Sequence, residues 1–409
     1  MKLRIMSFRQ ELWPISTGCF PPTASASLAP QRATPRAPTV VSSALSRRTH
    51  PNAPHENPSP STSPTETEIK FEVSPAAWPC LSEAMSTSSD TLDLHAIYFD
   101  AADGALNRAR LSLRLRRENE KWLQTLKAPG SSPLGRLEDE IEVKVPPEGP
   151  PPALDLERHV FSQGRKALRA ALGLQADDIW PLLQPQFEVR VQRRTKTIHH
   201  GASLIEVALD EGQVIAAGYS RPIRELEMEL LEGSAADLLD AARLWRARHG
   251  LWVITVSKAE RGALLLHGEL HGPAKGAEPP VLLATGKPRR GEFTGAVPDA
   301  CLRQIVGNAS QVALGSQGDG HVHQLRVGIR RLRTALRELP DLDGARGQLE
   351  PVLVDVFRAL GERRDRTHVL RKVGPLIESA GGPALRMPAG FHEGTDPIKL
   401  VRRDDSRRR

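Results

Sequence analysis

Long apolar runs are missing from this 409-residue chain. No stretch of about 18 hydrophobic residues occurs, which excludes a membrane-spanning helix. Cysteine is scarce: Cys19, Cys80 and Cys301 stand alone, without a C-x-x-C pair. That excludes a cysteine-built zinc site and a disulfide framework, and makes a reducing compartment, the cytoplasm, the expectation. There is no G-x-x-x-x-G-K-[ST] loop, which excludes P-loop chemistry. Acidic residues are almost lacking from residues 1–64, where Glu11 and Glu56 stand in a background of Ser, Pro, Thr and Ala. Such a segment cannot bury enough apolar surface to offset its ordering entropy and is expected to be disordered. Its start, MKLRIMSFRQ, lacks the apolar core of a secretory signal; Arg- and Ser-rich, acid-poor sequence resembles a transit peptide, but a disordered tail or a start codon called too early is the expectation.

The chain has 56 Lys and Arg against 49 Asp and Glu, a net charge of +7. Basic surfaces for anionic partners follow, within a molecule that keeps many carboxylates. From 65 to about 270 the hydrophobic period is two, the strand period. TETEIKFEV places Glu66, Glu68 and Lys70 on one face. ARLSLRLRRE alternates Leu111, Leu113 and Leu115 with Ser112, Arg114 and Arg116. RLEDEIEVKVP sets Ile141, Val143 and Val145 against Glu138, Glu140, Glu142 and Lys144. KWLQTLKAPG, QFEVRVQRRT, SLIEVALDEG, IRELEMELLEG and LWVITVSKAERG continue the strands, with helices expected at 161–173 and 234–249. The second helix has a Ser234 cap and a closing Gly250. Trp122, Trp245 and Trp252 read as core. The scattered His95, His199, His200, His249 and His267 lack ligand spacing.

One strand with a wet polar face is ordinary. Here, however, the alternating positions are almost purely ionisable and carry both signs in strand after strand. A sheet closed into a barrel can point such residues into a lumen and pack the apolar alternates outside against helices. Burying these charges is costly unless something pairs them. Arginine and lysine suit phosphate oxygens, and carboxylates beside them suit a hard divalent cation. Together they describe a site for a metal–polyphosphate complex, with the solvated strand face as the alternative.

The residues then resemble a known family. ETEIK fits the E-x-E-x-K signature of CYTH domains, the triphosphate tunnel metalloenzymes. LSLRLRRE, WLQTLKAPG, FEVRVQRRT, IEVALDEG, RELEMELLEG and SKAERG resemble later strands of that family in the same order. The resemblance covers 65–270 and implies an α+β fold: an eight-stranded antiparallel β-barrel tunnel with flanking helices. It implies a metal-dependent enzyme using Mg²⁺ or Mn²⁺ on a triphosphate. Glu66, Glu68, Asp210, Glu225 and Glu227 would bind metal, with the roles of Glu206 and Glu229 open. Lys70, Arg114, Arg116, Lys127, Arg190 and Lys258 would hold the phosphates, and Lys70, Arg114, Arg116 and Lys258 would also act in catalysis. Arg193 and Arg194 follow Arg190, and only one of them shares its face.

A Gly/Pro-rich stretch beginning HGPAKGAEPP marks a linker over 271–292. From 293 to 409 the period becomes helical. Leu325, Ile329, Leu332, Leu336 and Leu339 fall on one side of a helix, with His323, Arg326, Arg330, Arg333 and Arg337 opposite. HQLRVGIRRLR resembles the CHAD domain, a helical module often fused to CYTH. That resemblance implies inorganic polyphosphate bound by His323, Arg326, Arg330 and Arg333; a solvated basic face is the plainer reading. GERRDRTHVL departs from the family's Arg-Asp-x-Asp-Val run, and the region is short for the module, so a partial CHAD domain is expected. The expected activity is hydrolysis of tripolyphosphate to diphosphate and phosphate. Adenylate cyclase or thiamine triphosphatase activity on the same barrel is the alternative, as is a non-catalytic polyphosphate binder. Nucleic acid is not an expected partner, since a pure anion binder gains nothing from Glu66 and Glu68.

Overall fold

Period-two alternation builds nine strands among the described residues: β1 (Thr65–Glu72), β2 (Asp90–Asp100), β3 (Ser112–Glu118), β4 (Lys121–Pro129), β5 (Gly135–Val143), β6 (Gln184–His200), β7 (Ser203–Ala216), β8 (Tyr219–Glu232) and β9 (Trp252–Ile254). The computed structural model describes residues 65–86, 89–129, 135–145, 150–159, 163–280, 290–368, 373–385 and 395–402. The disordered segment expected at 1–64 lies outside them. The strands form one antiparallel sheet in the order β5-β4-β3-β2-β6-β7-β8-β1-β9. Strand β1 gives one edge to β8 and divides the other, residues 65–67 pairing with β5 and 70–72 with β9.

The helices are α1 (Trp78–Ser86), α2 (Ala105–Arg108), α3 (Gln163–Ala171), α4 (Ala235–His249) and α5 (Lys258–Leu266) around the sheet. They are followed by α6 (Arg290–Ala313), α7 (Asp319–Glu338), α8 (Asp343–His368), α9 (Gly374–Ser379) and α10 (Pro397–Arg402). Helix α4 begins and ends as its sequence dictates: Ser234 accepts from the Asp237 N–H, and Gly250 closes it at φ 61°. The apolar alternates Ile69, Phe71, Val207, Leu209, Leu226 and Met228 pack on Leu81 and Met85 of α1 and Leu238, Ala241 and Ala242 of α4. This burial turns the charged alternates of β1, β7 and β8 to the opposite face.

On that opposite face lies α5, which corrects the sequence reading. LWVITVSKAERG is not one strand, because β9 ends at Ile254 and Ser257 caps a helix by accepting from the Glu260 N–H at 3.1 Å. The Ser257-x-x-Glu260 spacing is that of a capping box. Leu265 of α5 packs with Leu94, Ala96, Val189, Val191 and Val214. Where α5 crosses Phe187, a Cβ on Gly262 would stand 2.1 Å from the ring, so only glycine allows the approach.

In the helical region the apolar face of α7 is buried as its periodicity requires: Leu325, Ile329, Leu332 and Leu336 pack with Cys301, Leu342, Leu360 and Leu400. This region also covers β9. Ala313, Leu314 and Val401 pack on Trp252 and Ile254, and the Thr255 N–H donates to Ser310 Oγ at 2.9 Å. Residues 271–280 have neither helix nor strand, yet they are held: the Lys275 N–H donates to Asn308 Oδ1, Asn308 Nδ2 donates to the Lys275 carbonyl, and His321 Nε2 lies 2.9 Å from the Gly272 carbonyl. His321, unnoticed in the sequence, is buried there.

Candidate functional site

The charged face of the sheet and the start of α5 enclose a cavity of about 380 Å³. Nine carboxylates line it: Glu66 and Glu68 from β1, Glu118 from β3, Glu138 and Glu140 from β5, Glu206 and Asp210 from β7, Glu227 and Glu229 from β8. They face six cations: Lys70, Arg114, Arg116, Lys127, Arg193 and Lys258.

Strand register sorts the carboxylates into rows. In one row Glu72, Glu225 and Asp210 are direct cross-strand neighbours on β1, β8 and β7, and Arg193 of β6 stands next to Asp210. Four residues along, the row is Glu68, Glu229 and Glu206. Like charges directly opposite one another are unfavourable without compensation.

The first row is fully compensated. Arg193 Nε and Nη2 each donate to Asp210 at 2.7 Å, and Nη2 also reaches Glu227 at 2.5 Å. Lys258 Nζ lies 2.7 Å from Glu225, 2.7 Å from Glu227 and 2.9 Å from Asp210. Burial alone would push the Asp210 and Glu227 carboxyls up. Arg193 and Lys258, joined by Lys70 at Glu227, outweigh it and hold both below the ordinary range. Burial would likewise discharge Lys258, but Asp210, Glu225 and Glu227 keep its ammonium well above its usual value.

The second row is not compensated. Lys70 reaches Glu68 at 3.0 Å but is shared with Glu227 at 3.2 Å. Glu229 and Glu206 have no ion-pair partner among the described residues. Burial, then the charges of Glu66 and Glu68, push the Glu229 carboxyl up to about 7. Oxygens of Asp210, Glu225 and Glu227 lie within 4.8 Å of one another and could hold a metal ion. Their negative charge, however, is already met by Arg193, Lys258, Lys70 and Arg261. By charge, Glu68, Glu229 and Glu206 are the carboxylates left in excess of cations, and all-oxygen groups of that kind suit a hard divalent cation. Sequence reasoning left Glu229 and Glu206 open because neither their partners nor their shortage of partners is visible in a one-dimensional pattern. Glu225 is not among the cavity-lining residues; it is buried between Lys258 and Arg261.

Across the cavity, β3 and β4 present the remaining cations. Arg116 is clamped by Glu118 at 2.5 Å and Glu140 at 3.0 Å, and Lys127 by Glu66 at 2.7 Å and Glu138 at 2.9 Å. Arg114 is held loosely, 3.9 Å from both Glu138 and Glu140, and donates to the Tyr98 hydroxyl at 3.4 Å. The Nε atoms of Arg114 and Arg116 are buried without a hydrogen-bond acceptor. Buried donors of this kind favour an anion that supplies acceptors. Tyr98, which sequence reasoning missed, stacks on Phe187 at 4.7 Å. Burial would raise its phenol, but Arg114 outweighs that and holds it below the usual tyrosine value.

One expected phosphate ligand is misplaced. Arg190 is 57% exposed and pairs with Glu188 at 2.8 Å, away from the cavity. On β6 the inward residues are Val189, Val191, Arg193 and Thr195. Here the apolar alternates face inward because α5 packs against them, so the cation that enters is Arg193, out of phase with Arg190. Arg194 shares the outer phase and donates to the Ser82 carbonyl.

On α7, His323 and Arg330 are exposed, Arg326 lies over the Phe357 ring at 4.7 Å, and Arg333 pairs with Glu350 at 2.9 Å. Arg337 converges on the same Glu350. The side chains of GERRDRTHVL beyond Gly361 lie outside the described residues. No helix among the described residues is long and apolar enough to cross a membrane.

Residues 64–263 match the family model described as the CYTH domain, and 296–403 match that of the CHAD domain. An inorganic triphosphatase of Haemophilus influenzae is 30% identical over 206 residues, which cover 49% of this chain and 54% of that protein. The chain thus spans about half the length of that curated relative. A Hippeastrum structure, described as an adenylyl cyclase candidate with a dominant triphosphatase activity, is 23% identical with a TM-score of 0.35. It covers 50% of this chain and 97% of its own. An adenylate cyclase candidate of Bacillus halodurans is 18% identical with a TM-score of 0.33, covering 47% and 93%.

Proposed function

The chain carries a CYTH domain followed by a CHAD domain, and we propose that it is a metal-dependent inorganic triphosphatase, cleaving tripolyphosphate with water to diphosphate and phosphate. The observation that carries this reading is the division within one cavity. An acidic row short of cations faces arginines whose buried donors lack acceptors. A polyphosphate with a divalent cation satisfies both at once, and neither ligand alone does so. The activity named for the Haemophilus influenzae relative agrees with it.

In this reading the sheet is an eight-stranded barrel. Its support is the pairing of β1 with β5 through Thr65↔Leu137 and Thr67↔Gly135, with the cavity as the tunnel. Arg114, Arg116 and Lys127 hold phosphate oxygens from one wall; Lys70, Arg193 and Lys258 meet them from the other. Charge that develops on the diphosphate leaving group as water attacks in line is met by these fixed donors, the term that dominates phosphoryl transfer. Glu66, Glu68 and Glu229 would hold Mg²⁺ or Mn²⁺, which would supply neutralisation of phosphate charge and activation of the nucleophile. The α7 face of His323, Arg326, Arg330 and Arg333 would bind longer inorganic polyphosphate beside the tunnel.

Phosphate release from tripolyphosphate, ATP and thiamine triphosphate, with Mg²⁺, Mn²⁺ or EDTA, tests the proposal. Tripolyphosphate should be the best substrate, EDTA should abolish release, and Glu68→Gln should lower it by orders of magnitude with the fold intact. Full activity in EDTA overturns the metal requirement, and a preference for ATP or thiamine triphosphate overturns the substrate.

A further inference from the structure

Helix α5 sends a second cation towards the same acidic row, one that the cavity never touches. Lys258 and Arg261, three residues apart, lie on one side of the helix. Lys258 lines the cavity, whereas Arg261 is 1% exposed and buried behind it. Arg261 Nη2 donates to Glu72 Oε2 at 2.6 Å and lies 2.9 Å from Glu225 Oε1. The second contact is off the N–H axis, so Glu225 Oε1 accepts no aligned hydrogen bond from it and the attraction is between charges. The other oxygen of Glu225 accepts from Lys258 Nζ at 2.7 Å. Glu72 itself continues the face of Glu66, Glu68 and Lys70 and stands opposite Glu225 in register.

We propose that Arg261 is a positioning residue for Lys258: by sharing the charge of Glu225, it keeps the Lys258 ammonium directed at the cavity. This rests on the reading of Lys258 as a phosphate ligand. Glu225 is fully buried and, among the described residues, forms ion pairs with two cations, Arg261 and Lys258. Without Arg261 its whole charge falls on Lys258, which must then remain with Glu225 instead of serving a phosphate. A buried carboxylate stripped of one partner holds the other more tightly, because water cannot replace what was lost.

The experiment measures kcat, KM and melting temperature of the full chain with tripolyphosphate and Mg²⁺, and tripolyphosphate binding by calorimetry without metal. Arg261→Met should lower kcat/KM by about tenfold or more in protein that is still folded. Adding Glu225→Gln, which removes the charge that captures Lys258, should raise kcat/KM measurably above that of Arg261→Met alone. Arg261→Lys, which keeps the charge but cannot span Glu72 and Glu225, should fall between. In a Lys258→Met background, Arg261→Met should cost little more. A loss that Glu225→Gln does not relieve, or that adds in full to Lys258→Met, overturns the inference while leaving the triphosphatase reading intact. A wild type that neither binds nor hydrolyses any triphosphate overturns both.

Discussion

Replacing Arg193 and Arg190 in turn by methionine separates two positions that differ by three residues in sequence and by the whole thickness of the sheet. Arg193 is 18% exposed and serves Asp210, which is 0% exposed, with a further contact to Glu227. Removing one partner of a buried pair leaves an uncompensated charge and costs about 3–5 kcal/mol. The pair of Arg190 with Glu188 is open to solvent, and such pairs contribute about 0–1 kcal/mol. At roughly 2–4 °C per kcal/mol for a domain of 150–250 residues, Arg193→Met should melt about 6–20 °C below wild type. By the same scale, Arg190→Met should stay within about 4 °C. Scanning calorimetry reads both values, and phosphate release should collapse for Arg193→Met alone. Asp210→Asn, added to Arg193→Met, should recover part of the stability because it removes the stranded charge. Equal melting temperatures for the two single variants would refute the assignment of Arg193 to the cavity.

Glu229, with a carboxyl raised from the ordinary 4.5 to about 7, favours folding while it is neutral. Its contribution is full below pH 4.5 and is lost as pH rises through 7, so Glu229→Gln should flatten the fall in melting temperature of the metal-free protein across that window. Arg114→Ala should raise KM or lower kcat for tripolyphosphate by tenfold or more (about 1.4 kcal/mol each tenfold), whereas the exposed Arg117→Ala on the other face of β3 should change neither. Deleting residues 280–409 uncovers Trp252 and Ile254 and should lower the melting temperature of the remainder by about 5–10 °C. Unchanged melting would refute the covering role of α6 and α10.

Much of this arrangement is legible in the amino-acid sequence, for a definite reason. On β1, β3, β5 and β8 the outer face meets helices or a loop-covered core, so apolar residues go out and charges go in, and strict alternation reports the face directly. Strand β6 breaks that rule. Its Val189 and Val191 turn inward to meet Leu265, so the charged phase QFEVRVQRRT displays is the outer one until Arg193. No local pattern announces which of two apolar surfaces a strand will meet. Helix α5 was hidden by a different local effect, since β-branched residues run up to Val256. The Ser257–Glu260 cap was the one contrary signal. The difference between the acidic row with cations and the row without them comes from residues drawn from β1, β6, β7, β8 and α5. It exists only after register is set.

That β1 shares one edge with β5 and β9 and the other with β8 has a consequence in time. Glu72 pairs with Glu225 and with Trp252, partners at least 153 residues downstream. The strand made first therefore cannot settle until the strands made last have left the ribosome. Pairings of such long range make closure slow, because the entropy of joining distant segments is lost before the contacts reward it. Only residues 65–67 can meet an early partner, β5, so through most of its synthesis the chain holds Glu68 and Lys70 without their strand partners. Their regular charge keeps that waiting strand soluble and disfavours its pairing with neighbouring chains. The residues that line the finished cavity are thus, earlier, the strand's protection against aggregation.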